Sequence, residues 1–179
     1  MVQLAPSDGI LDLHCRSGER SVWVARSRGC QVVCVDEDPR FCDQLIAHCA
    51  VGGALEHVRP IVAKYDQLPF ADGSFALVMA EWAALGLGLR AALESWRRLV
   101  PVNGHVAVTY PGVVNKDAPI EVRGPLEKRM KEPMGVLADY HKTARELGYE
   151  IVHQAPLSHA LWENYYADAV RRVWALNGS

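Results

Sequence analysis

Ile10-Leu11-Asp12-Leu13-His14-Cys15-Arg16-Ser17-Gly18 opens as a short, mostly apolar run and closes as a polar loop. The run Ile10–Leu13 reads as a buried strand and the loop through Gly18 as the turn into a helix reaching about Arg28. Gly29 stands where a glycine just past the last turn ends such a helix. Gln31–Val35, rich in valine, reads as a second strand. Strand, glycine-containing turn, helix, strand is the signature of a βαβ unit.

The pattern continues outward from this unit. Asp38-Pro39 reads as a helix start, with Asp38 as N-cap and Pro39 at the first helical position. Phe41, Cys42, Leu45, Ile46 and Cys49 share one face of that helix. Val58–Val62 reads as a third strand, and its Pro60 predicts a sheet edge, since proline cannot donate to a ladder. Phe75–Ala80 is expected as a fourth strand and His105–Tyr110 as a fifth, with a helix carrying Leu89, Ala92, Leu93 and Trp96 between them. Residues 111–132 mix proline, glycine and charge and read as a loop with a short helix. A helical stripe from Leu137 to Leu147, a sixth strand Tyr149–Ala155 and a final helix around Trp162–Val173 complete the reading. The expected fold is α/β: one domain, residues 1–179, holding a doubly wound, mostly parallel sheet of about six strands with helices on both faces.

Composition agrees with a folded domain and narrows its partners. The chain has 179 residues, of which 50% are hydrophobic and 22% charged, which is too apolar for disorder. Nineteen basic against 21 acidic residues leave a net charge of −2, so no nucleic acid is expected as a partner. No apolar run reaches the ~18 residues of a membrane span, and Met1–Pro6 lacks the pattern of a secretion signal. A cytoplasmic protein with reduced thiols is expected. The five cysteines, 15, 30, 34, 42 and 49, match no zinc spacing and read as small core residues, so no metal is expected.

Ligands of doubly wound sheets bind beyond the carboxyl ends of the strands, where strand order reverses. The candidates are therefore His14 to Gly18, Asp36 and Glu37, Lys64 to Asp66, Glu81 and Trp82, and Tyr110. Asp36 is the sharpest of these. An acid after the second strand can accept hydrogen bonds from both hydroxyls of a ribose, as dinucleotides and S-adenosylmethionine both require. The first loop lacks the G-x-G-x-x-G pattern that admits a pyrophosphate, since it holds only Gly18.

At these residues the chain resembles class I S-adenosylmethionine-dependent methyltransferases, in the ubiquinone-biosynthesis-like (type 11) branch. Residues 10–18 are similar to the family's L-D-L-G-C-G-x-G. Residues 67–78, QLPFADGSFALV, are similar to its L-P-F-x-D-x-S-F-D-L-V block. Residues 96–108, WRRLVPVNGHVAV, are similar to its helix, turn and fifth strand. The resemblance covers about residues 9–155. It implies a Rossmann-like fold, S-adenosylmethionine as cofactor, and a cofactor site formed by Asp12, His14, Arg16, Gly18, Asp36, Glu37, Tyr65, Asp66 and Glu81. It implies methyl transfer to a small-molecule acceptor and names no catalytic base.

The chain also departs from the family's pattern. His14 and Arg16 replace the first two motif glycines, and glycine is used where backbone takes positive φ or meets a ligand closely. The helical segment usually found before the first strand is expected to be missing, and the last antiparallel strand is expected either to be missing or to be formed by Val170–Leu176. These departures favour a second expectation, a methyltransferase-like binding or partner protein that no longer holds the cofactor. An apolar patch near the ligand edge of the sheet, and with it a homodimer, is also expected.

Overall fold

The computed structural model describes residues 4–114 and 117–156. Five parallel strands form one sheet: β1 (Gly9–Leu13), β2 (Gln31–Asp36), β3 (Val58–Val62), β4 (Leu77–Glu81) and β5 (His105–Thr109). Their order is β3-β2-β1-β4-β5, so the order in which strands are added reverses between β1 and β4. In doubly wound sheets that is where ligands bind, beyond the carboxyl ends of the strands. The helices are α1 (Glu19–Arg28), α2 (Pro39–Gly52), α3 (Leu89–Arg97), α4 (Ile120–Glu127) and α5 (Leu137–Glu146).

Alternation along the strands builds two cores, one on each face. Ile10, Val32 and Cys34 pack with Val24 and Ala25 of α1 and Leu45 and Cys49 of α2. Leu11, Leu13, Val35 and Val78 pack on the other face with Ala92 and Trp96 of α3. Both faces of β1 are covered, so its apolar run is nearly continuous, as parallel strands require. All five cysteines are buried and unpaired, in keeping with small core residues. Asp38 caps α2 by accepting from the Arg40 amide at 3.0 Å, with Pro39 in the first turn.

β3 lies at a sheet edge, as Pro60 predicts. Val32 donates to the His57 carbonyl, and Ala63 to that of Asp36. Odd-numbered residues of this strand thus face β2, and Pro60 turns its donorless nitrogen outward.

Two expectations need correction. β4 starts at Leu77 rather than Phe75, because the Phe75 amide bonds the Leu99 carbonyl instead of a strand. Residues 149–155 form no strand. Their β-branched residues suit a sheet, but propensity is not a ladder, and among the described residues β5 pairs only with β4. The described sheet therefore has five strands, not six. The final helix expected around Trp162–Val173, and Val170–Leu176 as the alternative last strand, lie outside the described residues.

The chain divides into two compact units, Met1–Tyr149 and Glu150–Ser179. The first holds every element named above. Of the second, Glu150–Pro156 are described and carry neither helix nor strand. Among the described residues no helix is long and apolar enough to cross a membrane.

Candidate functional site

The loop after β1 is suspended from the end of β2. His14 and Cys15 both donate to the Val35 carbonyl, at 2.9 and 3.3 Å, and the Arg16 amide donates to Oδ2 of Asp36 at 3.0 Å. His14, Arg16 and Gly18 all take left-handed backbone, with φ of 59°, 50° and 81°. At Gly18 an added Cβ would stand 2.0 Å from Cδ1 of Leu45, so any other residue there requires Leu45 to shift as well as left-handed backbone. His14 and Arg16 hold the same conformation with side chains attached, at a cost of about 1 kcal/mol or more each.

Asp36 is 2% exposed. Its second oxygen accepts from the Asp38 amide at 3.0 Å. Two backbone N–H groups therefore hold the carboxylate, and each oxygen keeps a further lone pair. Glu37 accepts from the Tyr65 amide at 3.2 Å, joining the loop after β3 to the end of β2. Tyr65 is buried. Burial, and next the charge of Asp36, push its phenol up well beyond the usual tyrosine range.

The ends of β1 and β4 are bridged twice at the switch point. Nδ1 of His14 lies 2.9 Å from the Glu81 carbonyl at the end of β4. A carbonyl only accepts, so this nitrogen carries the proton. The imidazole also meets Tyr65 edge-on, with centroids 6.1 Å apart. One turn into the structure behind it, Arg20 of α1 pairs with Asp12 of β1 and with the Glu81 carboxylate. Asp12 is wholly buried and also accepts from the Ser21 hydroxyl. Burial works against the Arg20 charge, but the adjacent Asp12 and then Glu81 outweigh it and raise its pKa.

Most of the residues singled out in the sequence thus meet. Asp12, His14, Arg16, Asp36, Glu37, Tyr65 and Glu81 are joined by the contacts above, and Gly18 closes the loop. Asp66 is exposed on the loop after β3 and shares none of these contacts. The Arg16 guanidinium stacks on Phe41 of α2, 5.3 Å from the ring centroid. Tyr110 donates to Glu132 at 3.0 Å, and Glu132 also accepts from the Leu89 amide at the start of α3. Among the described residues no cluster of three metal-ligating side chains occurs. Sequence reasoning misses Arg20 and Ser21. The available signal is Asp12 itself, because a carboxylate inside a buried strand calls for a charged or hydrogen-bonding partner, though it does not say which residue supplies it.

A family model of the methyltransferase domain matches residues 10–104, which contain the β1 loop, Asp36, Tyr65 and Glu81. The chain belongs to this family of methyltransferase domains. The chain is 26% identical over 167 residues to the glycine/sarcosine/dimethylglycine N-methyltransferase of Actinopolyspora halophila, covering 92% of this chain and 29% of that protein. It is 26% identical over 165 residues to the sarcosine/dimethylglycine N-methyltransferase of Halorhodospira halochloris, covering 91% of this chain and 59% of that one. The methyltransferase domain described here therefore spans less than two thirds of either relative. A SAM-dependent methyltransferase from Geobacter sulfurreducens, solved with S-adenosyl-L-homocysteine, shares its fold, with a TM-score of 0.79, 22% identity, and coverage of 98% of this chain and 72% of that one.

Proposed function

We propose that this methyltransferase domain binds S-adenosylmethionine at the carboxyl edge of β1, β2 and β4 and transfers its methyl group to a small-molecule acceptor. The observation that carries the reading is the buried Asp36 carboxylate, oriented by two backbone N–H groups with lone pairs to spare for a ribose diol. The nucleoside half of the cofactor suits this end of the site, where the loop keeps its left-handed path despite two replaced glycines. Asp36, Glu37 and the Tyr65 loop would hold it. The bound cofactor supplies an electrophilic methyl on a sulfonium, and the protein's part is position and exclusion of water.

Calorimetric titration with S-adenosylhomocysteine tests the reading. Micromolar binding is expected, weakened about tenfold to a hundredfold in Asp36→Ala, the worth of hydrogen bonds to a charged group. Asp36→Asn, which keeps one acceptor, is expected to fall between. No heat at millimolar ligand, from protein whose circular dichroism shows it folded, would sink the proposal.

One observation favours a second reading, a methyltransferase-like partner protein without cofactor. The His14 imidazole reaches across the switch point to the Glu81 carbonyl. A folded chain that ignores the ligand, in the same titration, establishes this reading instead.

We infer that a second copy docks on α1 and α2, a different surface from the ligand edge of the sheet where the sequence reading expects an apolar patch. Trp23 and Val51 are 64% and 92% exposed beside a groove of about 550 Å³. Glu19, Trp23 and Arg26 share one face of α1, so two antiparallel copies of α1 would set Glu19 opposite Arg26 about Trp23. Homodimerisation through this face predicts a dimer mass in light scattering at tens of micromolar, reduced to the monomer by Trp23→Glu. A monomer mass for the unaltered chain overturns it.

A further inference from the structure

The loop after β1 has a tie on its outer side as well. His48, exposed on α2, stands with Nδ1 2.7 Å from the Ser17 carbonyl. A carbonyl only accepts, so Nδ1 carries the proton and donates it. Ser17 sits between Arg16, whose amide holds Asp36, and Gly18, from which α1 starts. The loop is thus fastened from inside by the end of β2 and from outside by one imidazole. The inner ties end on a buried carboxylate and a strand carbonyl, whereas the outer one is open to water. Water competes for an exposed hydrogen bond, and the same bond is electrostatically stronger once enclosed.

His48 belongs to a second surface too. It lines the groove between α1 and α2 with Glu19, Trp23, Arg26 and Val51, the face assigned above to a second copy. Glu19 opens α1, one position past Gly18. The floor of the groove is close-packed, since a Cβ on Gly52 would stand 3.1 Å from Cγ1 of Val22. The surface for a second copy and the loop for the nucleoside therefore share a border at residues 17–19 and His48. The loop depends on its ties, because His14 and Arg16 hold left-handed backbone, at φ of 59° and 50°, that a residue with a side chain leaves when nothing holds it.

We propose that His48 is a positioning residue that links the two surfaces: a second copy covering the α1–α2 groove encloses the His48–Ser17 bond, keeps the loop on its left-handed path, and tightens cofactor binding in the dimer. Two states of the loop are involved. In one the Ser17 carbonyl accepts from His48, and in the other it turns to water. The second copy favours the first by excluding water. The cofactor favours the first because there the Arg16 amide orients Asp36 for the ribose. Two binding events that favour one state strengthen each other by the same factor, so the cofactor also tightens the dimer. His48 acts only through Ser17. The inference rests on the cofactor reading and on the second-copy docking above.

Sedimentation equilibrium of the full chain, with and without saturating S-adenosylhomocysteine, reads the link. A dimer has two cofactor sites, so an affinity about threefold tighter in the dimer lowers its dissociation constant about ninefold. In calorimetry the Trp23→Glu monomer is expected to bind S-adenosylhomocysteine about threefold more weakly than the unaltered dimer. His48→Leu keeps an apolar side chain in the groove without a donor, and it is expected to dimerise with no response to the ligand. His48→Asn, whose amide nitrogen takes the place of Nδ1, is expected to restore the response. A dimer constant that S-adenosylhomocysteine leaves unchanged, while calorimetry shows it bound, overturns the proposal and leaves both earlier readings standing. A His48→Leu chain that no longer dimerises, or whose dimer the ligand still tightens, overturns the role of His48. A monomer at every concentration overturns the docking reading, absence of heat overturns the cofactor reading, and either takes this proposal with it.

Discussion

The indole nitrogen of Trp96 donates to the Tyr65 carbonyl at 2.8 Å, tying α3 on one face of the sheet to the loop that leaves β3 at its carboxyl edge. Trp96 is wholly buried in the core on that face. Trp96→Phe removes the donor and opens a small cavity. The unpaired carbonyl alone costs about 1–3 kcal/mol, so a loss of about 2–4 kcal/mol is expected in urea denaturation. Because Tyr65 borders the candidate site, S-adenosylhomocysteine should also bind more weakly. An unchanged midpoint would show that this bond does not fasten the loop.

Gly18 is constrained twice, by a φ of 81° and by Leu45. Gly18→Ala should cost about 2 kcal/mol or more from overpacking and left-handed strain together. Leu45→Ala alone should cost about 2–5 kcal/mol. Combined, the two should destabilise less than the sum, since the shortened side chain admits the new methyl. Strict additivity in thermal melts would mean that the contact with Leu45 is not what restricts position 18.

Replacing His14 and Arg16 together by glycine should tighten S-adenosylhomocysteine binding. The change relieves left-handed strain at φ 59° and 50° and withdraws the imidazole from the switch point. The lost stacking of Arg16 on Phe41, about 0.5–1 kcal/mol, should roughly cancel the strain relieved at that position, leaving stability little altered. Weaker binding in the double variant would instead mark both side chains as adapted ligand contacts.

Alkaline stability follows from the tyrosines. Tyr149 donates to the Leu93 carbonyl, and burial pushes its phenol up to about 12, with nearby Arg97 pulling the other way. Burial raises Tyr65, Tyr110 and Tyr140 as well. A pKa higher in the folded state than in the unfolded one contributes stability that is intact below about pH 10 and lost as pH rises beyond it. Melting temperature should therefore fall through about pH 10 to 12, and Tyr149→Phe should flatten that fall. An identical slope in the variant would remove Tyr149 from the account.

Local signals made most of the fold legible. Asp38-Pro39 announces α2 because a cap and a first-turn proline act within one turn of helix. Pro60 announces the sheet edge because a missing donor leaves few places in a ladder. Residues 149–155 mislead because a strand exists only with a partner, and partners are not written in a segment's own alternation. At the site, Asp36 is legible from its distance after the first loop, and His14 and Arg16 from the glycines they replace. Arg20 is not. Arg16 is nearer Asp12 in the chain, four residues away against eight, yet the path of the loop sends its guanidinium to Phe41 and the first turn of α1 brings Arg20 to the acid.

The outward-facing Pro60 also bears on how copies of this protein meet. A β3 edge with no donor at its centre offers an incoming strand an interrupted template, so fibril-like growth from this side is disfavoured even though Val62 stands half exposed beside it. One imino acid thus guards the flank of the sheet against self-addition in a crowded solution.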